Sequence, residues 1–323
     1  MIGEVLAIDS PREMESIALK IFRYQAQSNT VYRNYLEALK IAPDNVNSLE
    51  KIPFLPIEFF KTHKVQTGSF SPAFTFTSSG TTGAAVSRHP VKDVSVYEQT
   101  FTEAFTLRYG DPKKYHIMAL LPSYLEREGS SLIVMAQKLI EISGRRNSGF
   151  FLYDHQLLAK KLSENDASGE TSLLLGVTFA LLDFAEHCPM ALHHAIVMET
   201  GGMKGRKEEI TRAEVASVLT KAFQLDHIHS EYGMTELMSQ AYSSGGGIFD
   251  CPPWMKIMIR DTSDPLACSF TGSGAFNIID LANIDSCAFI ATQDLGKVYP
   301  DGRFEIAGRL DHSDIRGCNL LVI

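Results

Sequence analysis

Apolar residues recur at helical spacing through roughly the first fifty positions. Ala18-Leu19-Lys20-Ile21-Phe22 and Tyr35-Leu36-Glu37-Ala38-Leu39 both place apolar side chains along one helix face. The pattern breaks at Ile52-Pro53-Phe54-Leu55-Pro56-Ile57. Prolines so close together remove backbone donors and disfavour helical geometry before them, so this stretch is read as extended.

From Tyr115 to Gly233 the pattern alternates. Short apolar runs predict strands at His116 to Leu121, Phe150 to Tyr153, Leu173 to Val177 and Ile196 to Met198. Between them, helical patterns cover Ser130 to Ile142, Gln156 to Leu162 and Phe179 to Glu186. Thr211-Arg212-Ala213-Glu214 has the form of a capping box and opens a further helix. Strands separated by short helices imply βαβ units and a parallel sheet, with ligands at the carboxyl ends of the strands.

After Gly247 the elements become short and strand-like: Lys256 to Ile259, Ala275 to Ile279, Phe289 to Thr292 and Phe304 to Ala307. Turn residues such as Pro300-Asp301-Gly302 separate them. The fold class is α/β. The expected organisation is a large body over residues 1–247, with a helical N-terminal segment and a parallel sheet. A smaller β-rich lobe over 248–323 follows. A cleft between the two is the natural ligand site.

Charge narrows the function. The 323 residues carry 30 basic and 38 acidic side chains, a net charge of −8. That balance speaks against a nucleic-acid partner, which needs a basic face. The five cysteines (Cys188, Cys251, Cys268, Cys287 and Cys318) include no CxxC pair, so neither a disulfide framework nor a cysteine zinc site is expected. Met1-Ile2-Gly3-Glu4-Val5 lacks the basic and apolar regions of a signal peptide. No apolar run reaches the ~18 residues that span a bilayer. A cytoplasmic protein without a membrane span is the expectation. His193-His194 and His227/His229 have no acidic cluster beside them and are read as loop or strand histidines, not metal ligands.

The candidate chemistry starts at Phe74-Thr75-Phe76-Thr77, a strand-like approach that runs into Ser78-Ser79-Gly80-Thr81-Thr82-Gly83. Glycines allow positive φ and close backbone approach. Successive amides in such a turn form a concave anion site, and the hydroxyls add neutral donors. No Gly-Lys-Ser/Thr follows, so this is not a Walker-type loop. Taken alone, the stretch also suits an ordinary polar hairpin turn.

Three further elements follow in order: Tyr232-Gly233-Met234-Thr235-Glu236, Thr292-Gln293-Asp294-Leu295-Gly296 and Gly308-Arg309-Leu310-Asp311. Together with the loop they resemble the adenylate-forming superfamily of acyl-CoA synthetases, peptide-synthetase adenylation domains and luciferases. The resemblance spans residues 77–311. It implies ATP and Mg²⁺ as cofactors and a carboxylic acid as substrate. By the same resemblance, Ser78, Ser79, Gly80, Thr81, Thr82 and Gly83 would close over the β- and γ-phosphates. Tyr232 and Gly233 would lie at the adenine, with Tyr232 stacked on it. Thr235 would meet the phosphates, and Glu236 would be catalytic and bind Mg²⁺. Asp294 would grip the ribose hydroxyls, and Arg309 would contact ribose and phosphate. Gln293 stands where the family usually has glycine, so an altered turn is expected there. Gly201-Gly202 either walls the adenine pocket or is a tight turn. Tyr124, after the His116–Leu121 strand, is the candidate wall of the acyl site.

Superfamily members usually continue into a further domain carrying a catalytic lysine. This sequence ends at Ile323, twelve residues after Asp311, so transfer to CoA in the usual way is not expected. It is most similar to the acyl-protein synthetases of LuxE type. The similarity lies at Ile52 to Ile57, Pro122-Ser123-Tyr124-Leu125-Glu126-Arg127, Gly129-Ser130-Ser131-Leu132 and Ser313-Asp314-Ile315-Arg316-Gly317-Cys318. That branch carries the acyl group on a cysteine near the C-terminus, which nominates Cys318 as a catalytic nucleophile; a buried apolar role beside Leu320 is the alternative. The implied function is ATP-dependent activation of a carboxylic, fatty-type acid and transfer to a protein thiol, with an acyl-accepting reductase or carrier as partner. Two readings stand beside it: a phenylacetate–CoA ligase-like enzyme that hands its acyl group to a separate carrier, and a nucleotide-binding protein without activity.

Overall fold

A computed structural model describes residues 1–78, 86–122, 129–201 and 211–310. The chain opens with helices α1 (Ile2–Leu6), α2 (Pro11–Ser28) and α3 (Thr30–Ala38). Helix α2 starts where Ser10 accepts from the Glu13 N–H and Pro11 takes the first turn, where a missing donor costs nothing. The proline-rich stretch is extended as expected and holds strand β1 (Leu55–Pro56), followed by the single turn of α4 (Phe59–Thr62).

Strands β2 (Phe74–Thr77) and β3 (Arg88–Val91) form an antiparallel hairpin, and α5 (Val94–Tyr109) follows. The alternating region then supplies β4 (His116–Leu120), α6 (Ser131–Ser143), β5 (Gly149–Phe150), α7 (His155–Ala167), β6 (Ser172–Val177), α8 (Thr178–His187), β7 (Ala195–Thr200), α9 (Arg212–Phe223), β8 (His229–Tyr232) and β9 (Ala241–Ser243). These strands form one sheet in the order β5-β4-β6-β7-β8-β9, parallel except for β9. Every residue of β4 and β6 is buried, as a parallel sheet covered on both faces requires. Thr211 and Glu214 do form the capping box of α9.

The last third adds β10 (Ile248–Phe249), β11 (Met255–Arg260), β12 (Cys268–Ser269), β13 (Gly272–Asp280), β14 (Phe289–Val298) and β15 (Phe304–Arg309). They form an antiparallel sheet in the order β10-β15-β14-β13-β11-β12. Strand β1 joins it, parallel to β14 through Leu55–Ile290 and Pro56–Ala291. Phe22 and Tyr32 pack on Phe289 with ring centroids 6.0 and 6.3 Å away, tying the N-terminal helices to this sheet. Burial of each such ring stabilises the fold by about 1.5–3 kcal/mol relative to exposure.

Two expectations change. The strand expected over Phe150 to Tyr153 ends at Phe150, because Leu152 takes φ of +44° and Asp154 N–H turns back to Phe151 O. Gln293 and Asp294 lie within β14, not in a free turn, and the strand is irregular there: its register against β13 slips between Ala291 and Leu295, and against β15 at Leu295/Gly296. Among the described residues no helix is long and apolar enough to cross a membrane.

Candidate active site

The β2–β3 hairpin presents its connecting loop from a pinned neck. Ser78 N–H donates to Ser87 O at 3.2 Å, and Ser87 N–H donates back to Ser78 Oγ at 2.9 Å. One residue earlier, Thr77 N–H donates to Gly129 O at 2.8 Å. The Ser78 hydroxyl therefore holds the neck closed. Ser79, Gly80, Thr81, Thr82 and Gly83 lie outside the described residues, as do Tyr124, Gly202 and Cys318.

Strand β8 delivers Tyr232 and Gly233 to the carboxyl end of the parallel sheet, and the chain then turns through Met234, Thr235 and Glu236. The Glu236 carboxylate is buried and bonded to the side chain of Ser87 at the loop neck. Burial raises its pKa, while Ser87 and the more distant charges of Arg309 and Lys61 oppose the rise. A buried carboxylate with a hydroxyl partner keeps oxygen lone pairs to offer. That donor set fits a hard cation such as Mg²⁺, which prefers one or two carboxylates plus phosphate oxygens and waters.

His89 on β3 and Asn283, after β13, hold this turn from behind. The His89 Nδ1–H donates to Thr235 O at 2.9 Å, and its Nε2 lies 3.1 Å from Asn283 Oδ1. Asn283 Nδ2 donates to Glu236 O at 2.7 Å. Burial lowers the His89 pKa to about 4, while its bonds to the acceptors Thr235 O and Asn283 Oδ1 work in the opposite direction. Asn283 is itself fixed by Gln25 of α2, whose Nε2 donates to Asn283 O at 2.9 Å. Beyond the turn, buried Asp280 accepts from Met238 N–H at 2.7 Å and from the Ser239 hydroxyl at 2.6 Å. Trp254 Nε1–H donates to that same Ser239 hydroxyl at 3.0 Å.

Tyr232, Asp294 and Arg309 form a chain on the other side. The Tyr232 hydroxyl donates to Asp294 Oδ2 at 2.7 Å, and Arg309 Nε reaches Asp294 Oδ1 at 3.4 Å across the β14–β15 pair. The Tyr232 ring sits edge-on to Phe304 and Phe249, with centroids 5.6 and 6.2 Å away. Arg309 is 61% exposed, so its guanidinium remains accessible to an anion. The structure thus gathers Ser78, Tyr232, Gly233, Glu236, Asp294 and Arg309 around one region. Gly201 closes β7 with φ of +74°, and its carbonyl accepts from the Thr178 hydroxyl at 3.2 Å.

Beneath the turn lies a pair of buried carboxylates. Glu231 accepts a short hydrogen bond from the Thr200 hydroxyl. Glu199 accepts from Thr178 at 2.6 Å and lies 3.4 Å from Arg212 Nη1. Burial pushes the Glu231 pKa up to about 7, against the pull of Thr200 and with a further push from Glu199. Glu231 also explains Gly233: a Cβ there would lie 2.4 Å from Glu231 Oε1. Sequence reasoning missed His89, Asn283, Asp280 and both glutamates. The available signals were an acid closing an otherwise apolar strand (Asp280) and an acid next to the Tyr232–Glu236 string (Glu231). The histidines singled out in the sequence stand elsewhere: His193 is 75% exposed and bound by Asp166, and His229 faces Tyr109.

Residues 11–323 match the family described as acyl-protein synthetase, LuxE. The chain belongs to the LuxE acyl-protein synthetase family. A relative in Aliivibrio fischeri, a long-chain-fatty-acid–luciferin-component ligase, is 23% identical over 330 residues, covering 95% of this chain and 86% of its own. Among solved structures, a 2-hydroxyisobutyryl-CoA ligase in the postadenylation state is similar with a TM-score of 0.64 and 11% identity, over 93% of this chain and 68% of that one. ATP-bound MatB from Rhodopseudomonas palustris is similar with a TM-score of 0.55 and 14% identity, over 75% of this chain. The chain spans about half the length of that structure, 49%. At these identities the likeness speaks to the fold, which this family member shares with adenylate-forming enzymes.

Proposed function

We propose that this acyl-protein synthetase family member uses ATP to activate a carboxylic acid of fatty type as an acyl-adenylate and then passes the acyl group to a protein thiol. The observation that carries the reading is the convergence at the loop neck: buried Glu236 bonded to Ser87, with the Asp294–Arg309 pair close enough for Arg309 to be felt by its carboxylate.

A substrate carboxylate oxygen attacks the α-phosphorus of ATP. A new P–O bond forms, the bond to the bridging oxygen breaks, and pyrophosphate carries the electron pair away. Two anions must approach, so the site has to orient them and offset their charge. Arg309 supplies a positive group. Ser78 to Gly83 would supply amide and hydroxyl donors to the triphosphate, and Asp294 would hold the ribose. Thr235 would face the phosphates, and Glu236 would hold Mg²⁺, whose part is to neutralise phosphate oxygens. His89 and Asn283 keep the Thr235–Glu236 backbone in place. Gly201-Gly202 and Tyr124 would border the adenine and acyl groups.

In the second step a thiolate sulfur attacks the acyl carbon, the C–S bond forms and AMP leaves with its oxygen. Cys318 is the proposed nucleophile, and an acyl-accepting reductase or carrier protein would receive the group next. The test is ATP–pyrophosphate exchange over a panel of fatty, short-chain and aryl acids. Exchange with fatty acids is expected, and no exchange with any acid overturns the reading. Mass spectrometry after ATP and the best acid should find hydroxylamine-labile acylation that disappears in Cys318→Ser; acylation that persists would remove Cys318 from the mechanism.

A further inference from the structure

A second cluster of ligating side chains lies between α7 and α8, built from residues the adenylating site does not use. Asp183 and His187 stand four residues apart on α8 and so share one helix face. His155 opens α7 and leans on the same place, its ring edge-on to Phe184 at 5.6 Å. His155 Nε2 lies 3.9 Å from Asp183 Oδ2, and His187 Nδ1 lies 3.8 Å from Asp183 Oδ1. One ligand atom of each of the three residues lies within 4.8 Å of those of the other two.

We propose that His155, Asp183 and His187 form a binding site for a divalent transition-metal ion of the zinc class, which ties α7 to α8. Two imidazoles and one carboxylate are the donor set that such ions take in preference to Mg²⁺ or Ca²⁺. Metal–nitrogen bonds of about 2.0–2.1 Å require the three donors to draw together by roughly an ångström from their present spacing. Asp183 and His187 are 46% and 60% exposed, which leaves them room to shift toward the ion. His155 is only 17% exposed and supplies the fixed side of the site.

His187 Nδ1, the nitrogen that faces the Asp183 carboxylate, also lies 2.8 Å from the Asp183 carbonyl oxygen, so the ring has to turn from that carbonyl to bring a lone pair to the ion. The three protein donors leave a further coordination position for water. Cys188 is adjacent in sequence, but its thiol is turned to Gln156 Nε2 at 3.8 Å and His155 O at 3.9 Å and is not counted among the ligands.

The full chain, stripped with a chelator and held reduced, is titrated with zinc chloride against a chelating indicator dye at pH 7.5. One tight equivalent is expected, together with a rise in thermal midpoint on zinc addition. His187→Ala and Asp183→Asn should each weaken that equivalent at least tenfold, while their circular dichroism and pyrophosphate exchange stay at the wild-type level. Cys188→Ala should retain it. Absence of a tight equivalent in the wild type overturns the site. So does an equivalent that survives both His187→Ala and Asp183→Asn, or one that is lost in Cys188→Ala.

Discussion

The Tyr232 hydroxyl donates to Asp294 Oδ2 at 2.7 Å, although the two residues lie 62 positions apart. This bond joins the end of the parallel sheet to the middle of β14. It predicts that Tyr232→Phe, which keeps the ring among Phe249 and Phe304, costs about 1.5–3 kcal/mol of unfolding free energy, the range for a hydrogen bond to a charged group. Asp294 should also lose part of its orientation, raising the KM for ATP several-fold with little change in kcat. A double-mutant cycle with Asp294→Asn measures the coupling. Additive effects would show that the bond does not hold the pair together.

Glu236→Gln separates chemistry from folding. The amide can still accept from Ser87 but no longer has the charge that a cation requires. Exchange should fall by a hundredfold or more, since the lost interaction acts on the reacting phosphates. Thermal stability should hold or rise, because a buried charge has been removed. Exchange near the wild-type rate would end the assignment of Glu236 as the Mg²⁺ ligand.

How far the sequence disclosed this site depends on the range of its contacts. Tyr232-Gly233-Met234-Thr235-Glu236 and Ser78 to Gly83 are strings of consecutive residues and so can be singled out in the sequence, although of the second only Ser78 is among the described residues. Asp294 and Arg309 were legible as residues, and their pairing follows from β14 and β15 being neighbours. His89 was not legible. It braces Thr235 from 146 positions away, and a histidine on a short strand carries no mark of that partnership. Asn283 and Gln25 escaped notice for the same reason, since their separation is 258 residues. In the fold, the periodic elements from His116 to Phe223 were readable, because burial on both sheet faces imposes long apolar runs. Phe150 to Tyr153 was misread because an apolar run looks the same whether it ends a strand or turns out of it. The strand–turn distinction rests on the φ of Leu152.

Gly233 is set by its neighbour and not by its own φ, so Gly233→Ala tests packing. A Cβ would come within 2.4 Å of Glu231 Oε1, and that side chain is held by Thr200. The expected cost is about 1–3 kcal/mol, as for other overpacked sites. Glu231→Ala in the same chain should recover most of the steric part, read by urea unfolding of the two single variants and the double. Equal costs with and without Glu231 would place the strain elsewhere.

Glu231 also predicts a pH dependence with a definite sign. Its folded-state pKa is about 7, above the ordinary value of 4.5. Between these values the folded protein holds a proton that the unfolded chain releases, so stability falls as pH rises through this window and levels off above it. A shift of this size corresponds to roughly 3 kcal/mol before relaxation around the carboxylate reduces it. Glu231→Gln fixes the neutral form. It should therefore lie close to wild type in unfolding free energy at pH 5 and exceed it at pH 8. The comparison is made by urea denaturation at both values, wild type against variant, so that other titrating groups cancel. A difference between the two proteins that does not change with pH would mean that Glu231 is ionised throughout, and that Thr200 and solvent screen its charge more effectively than its burial suggests.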